Sequence, residues 1–176
     1  MTDEARLERT DTGLVPHGEG WFIVNLGEVS WWRSETRGTW SGLGPEGERW
    51  QVGIGVHILE PGQAPGFYHR EDDQEGFLVL TGECIVVVEG EEREMRQWDY
   101  FHCPPGTHHI TVGAGDGPCA ILMVGARTPG KAIHYPVDET AARHGQSVAE
   151  PADSAAEAYA GESRRFWRVP APWPPA

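Results

Sequence analysis

The sequence predicts an all-β protein of short strands, and three observations support that class. The 176 residues include 23 glycines and 14 prolines, which suits strands joined by tight turns better than helices. Apolar residues alternate with other residues over positions 50–60, the period of a strand with one buried face. Short apolar runs at 77–80 and 84–88 are each followed by a glycine-containing turn. We therefore expect one β domain in a chain of this length.

The chain divides into three predicted parts. Residues 1–18 are polar and show no periodicity, so they are predicted to form a flexible N-terminal arm. Residues 19–135 contain the predicted strands and form the β domain. Residues 136–176 are predicted to hold two short helices, which end at Gly145 and Gly161, before a Pro-rich tail.

The first predicted strand covers residues 21–26 and precedes an aromatic segment. That segment contains Trp31, Trp32 and Trp40, and aromatic residues suit sheet faces and edge strands. The tryptophans could stack on a sugar or an aromatic substrate, or they could seal a subunit interface. Packing or interface roles are the more frequent ones for tryptophan.

Two hairpins are predicted in the middle of the chain. The runs 77–80 and 84–88 flank Gly82 and are expected to pair with each other. A second hairpin is expected at Gly90, since glycine reaches the positive φ that such a turn needs. The strand that follows Gly90 is mostly charged and is expected at a solvent-facing edge.

The strand at 50–60 leaves the orientation of one histidine open. One face carries valines and isoleucines, and the opposite face carries Gly53, Gly55 and His57. If the second face looks into the domain, His57 lines a pocket; in the other register it is a surface histidine. Alternation alone does not choose between the two faces.

Charge and composition exclude several classes of partner. The net charge of −13 repels phosphate backbones and anionic lipids, so we expect neither nucleic acid nor a membrane as a partner. No apolar run approaches the ~20 residues of a membrane span, and the N-terminus lacks the apolar core of a signal peptide. A cytoplasmic protein is therefore expected. The three cysteines are expected to be buried thiols, because an odd count without a CxxC pair does not suit a disulfide framework.

Four side chains form a predicted metal site. His69 and Glu71 share one face of an extended segment, and the acidic turn that follows brings Glu75 back at the start of the next strand. His109 is the fourth candidate, because a turn at 104–106 places it at the start of another strand. Imidazole and carboxylate groups together bind iron, manganese, zinc and related divalent metals.

At these positions the sequence resembles the cupin superfamily. The first cupin motif is matched by a group of five residues, Gly62, His69, Glu71, Glu75 and Gly82, and the second by Pro104, Gly106 and His109. Glu71 stands where the second histidine of the first motif usually lies. The resemblance covers roughly residues 50–127. It implies a small single-domain cupin of the conserved-barrel type, a double-stranded β-helix or jelly-roll barrel, with short C-terminal helices added.

The resemblance also implies a range of functions. It implies one divalent metal ion per chain, iron, manganese or zinc with nickel as a further candidate, held by His69, Glu71, Glu75 and His109. A cupin enzyme of dioxygenase-like or isomerase-like type acting on a small molecule is the favoured interpretation. The alternative is a non-catalytic module that binds a small ligand or a metal.

Three further residues are candidates for the substrate pocket, and a homodimer is expected. The pocket candidates are His57, Tyr68 and Phe77. Strand alternation points Tyr68 away from His69, so packing is the alternative role for its ring. Association through the N-terminal strands and their tryptophans is expected, because 8 tryptophans provide more aromatic surface than a small barrel covers easily.

Overall fold

The computed structural model describes residues 3–45, 50–162 and 165–172. Antiparallel strands dominate it, and two short helices follow them. The strands are β1 (Arg6–Thr10), β2 (Gly13–His17), β3 (Trp31–Ser34), β4 (Gly38–Gly42), β5 (Val52–Leu59), β6 (Arg70–Glu71), β7 (Glu75–Thr81), β8 (Glu83–Val88), β9 (Glu91–Arg96), β10 (Tyr100–Cys103), β11 (His109–Ala114), β12 (Cys119–Ala126), β13 (Ile133–His134) and β14 (Trp167–Val169). The helices are α1 (Glu139–Arg143) and α2 (Ala155–Ala158).

Two antiparallel sheets form the walls of the barrel. The larger has the strand order β10-β7-β12-β5-β4-β3-β14, and the smaller has the order β11-β8-β9. Apolar side chains from both sheets fill the space between them, including those of Leu59, Phe77, Val79, Val86 and Ile121. The predicted all-β class and the double-stranded β-helix are thereby confirmed.

The N-terminal segment differs from the expected flexible arm. Residues 6–17 form the hairpin β1–β2, whose strands pair from Arg6 with His17 to Thr10 with Gly13. Val15 is buried, and the amide of Leu14 donates to the carbonyl of Glu28. The polar sequence hid this hairpin because its strands bury few side chains and are held largely through the backbone.

The predicted strand at 21–26 is wrong. Within it only Trp21 forms a bridge, to Glu4, and the remaining residues are irregular. Val24 and Leu26 instead pack beside the fully buried Trp31. The alternating apolar residues therefore cover the outer face of the large sheet without adding a strand to it.

The predicted hairpin between β7 and β8 is also wrong. Strand β7 pairs with β10 and β12 in the large sheet, whereas β8 pairs with β9 and β11 in the small one. Gly82, at φ 74°, carries the chain from one sheet to the other. A Cβ at this position would lie 2.6 Å from the carbonyl oxygen of Pro118, so the close approach requires glycine. The second predicted hairpin, β8–β9 at Gly90, is confirmed, since its strands pair in register.

The register of β5 places His57 inside the barrel. His57 pairs with Ile121 on β12 and with Trp40 on β4. Paired residues of antiparallel strands share a face, and Ile121 belongs to the barrel core. The glycine and histidine face of β5 is therefore the inner one.

The C-terminal segment packs back on the barrel. Asp138 caps α1 by accepting a hydrogen bond from the amide of Ala141 at 2.7 Å, and Ser154 caps α2 in the same way. Strand β14 then pairs with β3 at the edge of the large sheet. The end of the predicted Pro-rich tail, residues 173–176, lies outside the described residues. Neither of these helices is long enough to cross a membrane, and no other described residues form one that could.

Candidate metal centre

Two histidines from distant parts of the chain meet at one end of the barrel. The amide of His109 donates to the carbonyl of His69 at 2.8 Å, and the amide of His69 donates back at 3.1 Å. This reciprocal backbone pairing is an isolated antiparallel bridge. It brings the ring centroids to 5.0 Å from each other.

Both histidine rings are oriented by the backbone two residues earlier. Nδ1 of His69 lies 2.8 Å from the carbonyl oxygen of Phe67, and Nδ1 of His109 lies 3.1 Å from that of Thr107. Each Nδ1–H can donate to its carbonyl, which leaves Nε2 as the atom with a free lone pair. Histidines that bind metals are commonly held in this way.

Glu75 supplies a carboxylate to the same place. It begins β7, and its Oε2 lies 3.2 Å from Nε2 of His109. Oε2 is buried, and its contact with His109 is an ion pair when that ring is protonated. Glycine at 125, opposite Glu75 in the sheet, leaves room for this side chain, because a Cβ there would lie 3.3 Å from Cγ of Glu75.

These three side chains form a donor set that fits a divalent metal. Their ligand atoms all lie within 4.8 Å of one another. A buried carboxylate is costly unless a cation neutralises it, and either protonated His109 or a bound metal ion can do so here. Two imidazoles and one carboxylate suit Fe(II), Mn(II) or Zn(II) better than metals that seek thiolates. His69, Glu75 and His109 would hold such an ion.

The protonation of the two histidines differs strongly. Burial, followed by the neighbouring His109, lowers the pKa of His69 to about 4. Burial also acts to lower the pKa of His109, but interactions with Cys103 and Glu75 outweigh it and raise the value to about 10. Without a metal, His109 is therefore a cationic imidazolium at neutral pH. A metal ion that binds Nε2 has to displace the proton on that atom.

A cavity opens beside this cluster. It has a volume of about 970 Å³, and its lining includes Glu75, His57 and Trp40. The rings of His57 and Trp40 are stacked, with 12° between their planes. Nδ1 of His57 is buried without a hydrogen-bond partner among the described residues, and burial lowers the pKa of this ring to about 4. His57 is therefore a neutral polar group that faces the cavity.

Sequence comparison agrees with this geometry. Residues 55–125 match the sequence profile of the cupin domain family. These residues are a cupin domain. They contain the three donor residues of the cluster.

Several solved structures are similar to this chain. A sugar phosphate isomerase of the cupin superfamily from Silicibacter pomeroyi is 26% identical, with a TM-score of 0.52, over 62% of this chain and 83% of its own. A proposed sugar phosphate isomerase from Acidithiobacillus ferrooxidans is 24% identical, with a TM-score of 0.48. That match covers 49% of this chain and 57% of the Acidithiobacillus protein. A protein with a double-stranded β-helix domain from Klebsiella pneumoniae is 22% identical, with a TM-score of 0.49, over 57% of this chain and 86% of its own. No protein of curated function matches the chain in sequence.

In this cupin domain Glu71 lies beside the donor cluster rather than within it. Its Oε1 is 4.0 Å from Nε2 of His69, and its Oε2 is bonded to the ammonium group of Lys131. Lys131 also lies 3.3 Å from Asp73. The structure thus brings together three of the four predicted ligands. The fourth carboxylate, that of Glu71, is paired with Lys131 and lines the cavity.

The pocket candidates Phe77 and Tyr68 have different surroundings. Phe77 is buried next to the cluster, with its ring centroid 5.1 Å from that of His109. The Tyr68 hydroxyl instead accepts a hydrogen bond from the amide of Gly90, and its ring packs in a separate apolar cluster covered by α1. Burial raises the pKa of Tyr68 to about 12. Tyr68 is therefore a packing residue, the alternative that strand alternation had offered.

Three residues near the site were missed by sequence reasoning. Lys131 meets Glu71 across 60 positions, and no local pattern indicates that contact. The sulfur of Cys103 lies 3.3 Å from Nδ1 of His109, and its position six residues before His109 in the chain is the signal that could have found it. Arg127 could have been found, because it continues the alternation of Ile121 and Gly125 on the inner face of β12.

Proposed function

We propose that this protein is a metal-dependent cupin enzyme that isomerises a small hydroxylated carbonyl compound. The observation that carries the proposal is the convergence of His69, Glu75 and His109, whose ligand atoms all lie within 4.8 Å of one another, next to a cavity of about 970 Å³. When bound, a divalent metal would supply a Lewis acid that polarises a substrate carbonyl. A buried ionisable cluster of this kind is costly to keep as inert core.

The remaining groups of the cavity suit a proton shift between neighbouring carbons. Such a reaction needs a base close to the polarised carbonyl. Glu71 lines the cavity beside the donor cluster, and its pairing with Lys131 fixes the position of the carboxylate. We assign the base to Glu71. His57, neutral and without a partner at Nδ1, would hydrogen-bond a substrate hydroxyl.

Similarity to a known isomerase supports the reaction type. The Silicibacter pomeroyi protein is called a sugar phosphate isomerase, and the match covers 83% of it. At 26% identity the likeness supports a related chemistry without fixing the substrate. The proposed reaction type therefore rests mainly on the residues of the site, and the similarity gives it additional support.

The donor set itself favours a second candidate function. Two histidines and one carboxylate with open coordination positions are the ligand set of non-haem Fe(II) oxygenases. A dioxygenase-like reaction would consume oxygen, whereas an isomerase would not. This difference separates the two candidates.

The test uses the full chain loaded in turn with Fe(II), Mn(II) or Zn(II). Each form is incubated with aldoses and ketoses, neutral and phosphorylated, in deuterated water. An isomerase exchanges the hydrogen on the carbon next to the carbonyl, which NMR detects, and does so without oxygen uptake. Metal-dependent oxygen uptake would instead support the dioxygenase. Ligand binding without exchange or uptake would make the protein a non-catalytic binding module.

A further inference from the structure

Arg127 extends the inner face of the barrel towards the cavity mouth. It follows β12, and its amide donates to the carbonyl of Gln51 at 2.9 Å, so the pairing with the β5 side of the sheet continues to this residue. Arg127 lines the cavity that contains Glu75 and also a second cavity of about 570 Å³ next to it. Its guanidinium therefore stands where the two spaces meet.

A glycine on the neighbouring strand β5 leaves room for this guanidinium to lie against the strand. A Cβ at Gly53 would lie 2.4 Å from Nε and 2.8 Å from Nη2 of Arg127. Any larger residue at this position would displace the arginine. Gly53 thus provides a space that Arg127 fills, on the same face as His57 and opposite Gly125.

The guanidinium has no acidic partner among the residues that the structure describes. Other cationic groups of the cavity are engaged, since Lys131 binds Glu71 and Asp73, and Arg168 stacks on Trp32 at 3.9 Å. The donors of Arg127 remain available to a ligand.

The charge of the cavity also favours an anion once a metal is held. Among the described residues that line it, Arg127, Lys131 and Arg168 are cationic, and Glu71 and Glu75 carry carboxylates. A divalent ion at the donor cluster would add further positive charge. A concave site with a net positive charge concentrates anionic ligands, even on a protein whose overall net charge is −13.

We propose that Arg127 recognises an anionic group of the substrate, a phosphate or a carboxylate. This inference rests on the proposed function, because it assigns the substrate class of that same cavity. The planar guanidinium donates in pairs to two oxygens of such a group. The substrate is accordingly a hydroxylated carbonyl compound with a phosphate or carboxylate at one end.

The test is calorimetric titration of the metal-loaded protein with three probes of one size class: glucose 6-phosphate, glucuronate and glucose. We expect at least one anionic probe to bind more tightly than glucose, and the tighter one identifies the source of the anion. Arg127→Ala should lower the binding affinity for that probe by about 10- to 100-fold and leave the affinity for glucose unchanged. Arg127→Lys should fall between, because a lysine donates as a point charge.

Two further variants keep the result interpretable. Gly53→Ala retains the arginine but removes the space that its guanidinium occupies. It should therefore also lower the affinity for the anionic probe, as Arg127→Ala does. Arg96→Ala removes an equal charge from the exposed strand β9 and should have no effect. The inference is overturned if neither anion binds better than glucose, or if Arg127→Ala binds both as the wild type does. Loss of metal from the wild-type chain would contradict the proposed function instead, and metal content is measured separately.

Discussion

At the scale of single residues, the site depends on how each donor is held. Two backbone carbonyls fix the Nδ1 atoms of His69 and His109, and a reciprocal backbone bridge fixes the distance between them. Glu75 is paired with His109 at 3.2 Å and occupies the space that Gly125 leaves. Glu71 is paired with Lys131 and stays outside the donor cluster, although its Oε1 lies 4.0 Å from Nε2 of His69.

Glu71→Gln should separate metal binding from turnover. The variant keeps the three donors, so we expect the metal content of the wild type. Because the amide cannot accept the substrate proton, turnover should fall by about 10²- to 10⁴-fold. Glu75→Gln is the matched control and should lose the metal as well. Loss of metal from Glu71→Gln would show that Glu71 is a ligand after all, as the sequence had predicted.

Metal affinity should depend on pH through His109. Its pKa of about 10 without metal lies above neutrality, whereas His69, at about 4, is already neutral. Each ion bound near pH 7 therefore releases one proton, and the apparent affinity should rise about tenfold per pH unit between roughly pH 6 and pH 9. Competition with a chelator across that range measures the slope. An affinity that does not change with pH would contradict the assigned protonation of His109.

At the scale of elements, the large sheet is covered on its outer face by the N-terminal segment. Trp31 on β3 is fully buried there, and its Nε1 donates to the carbonyl of Leu26 at 3.0 Å. Its neighbour Trp32 points to the opposite face and lines the cavity. The aromatic segment thus serves packing and pocket at once, which the sequence had offered as alternatives.

Trp31→Ala should destabilise the fold strongly. Removing a buried tryptophan leaves a cavity and one unpaired carbonyl, at a cost of about 3–5 kcal/mol. Trp32→Ala is the matched control and should cost less, since that ring faces an existing cavity. Urea unfolding followed by circular dichroism measures both. Equal losses would show that the N-terminal segment does not anchor β3.

The sequence pattern predicted those elements that interactions between neighbouring residues determine. The alternation of β5, the turn at Gly90 and the end of α1 before Gly145 were readable because neighbouring residues determine them. The crossing at Gly82 was not, since a glycine turn between two apolar runs looks alike in a hairpin and in a change of sheet. His69, Glu75 and His109 could be found from their spacing, whereas the Lys131 contact depends on the folded chain.

At the scale of the whole molecule, exposed apolar groups near the N-terminus indicate association. Trp21 is 52% exposed and Ile23 is 82% exposed, two positions apart in the irregular segment outside the large sheet. Clustered exposed apolar side chains often mark interfaces. A homodimer through this segment stays a prediction.

Replacing both residues by serine should dissociate such a dimer. Neither side chain is buried, so the Trp21→Ser and Ile23→Ser double variant should fold as the wild type does. Light scattering after gel filtration should show a dimer for the wild type and a monomer for the variant. A monomeric wild type, or an unchanged dimer in the variant, would contradict the prediction.

The central claim is that His69, Glu75 and His109 hold one divalent metal ion. Elemental analysis of the purified, tag-free chain tests it most directly, with His109→Ala and the distant control His144→Ala measured beside the wild type. We predict one equivalent of iron, manganese or zinc in the wild type and in His144→Ala, and none in His109→Ala. A wild type that cannot be loaded with any of these ions, or a His109→Ala variant that retains a full equivalent, would contradict the claim.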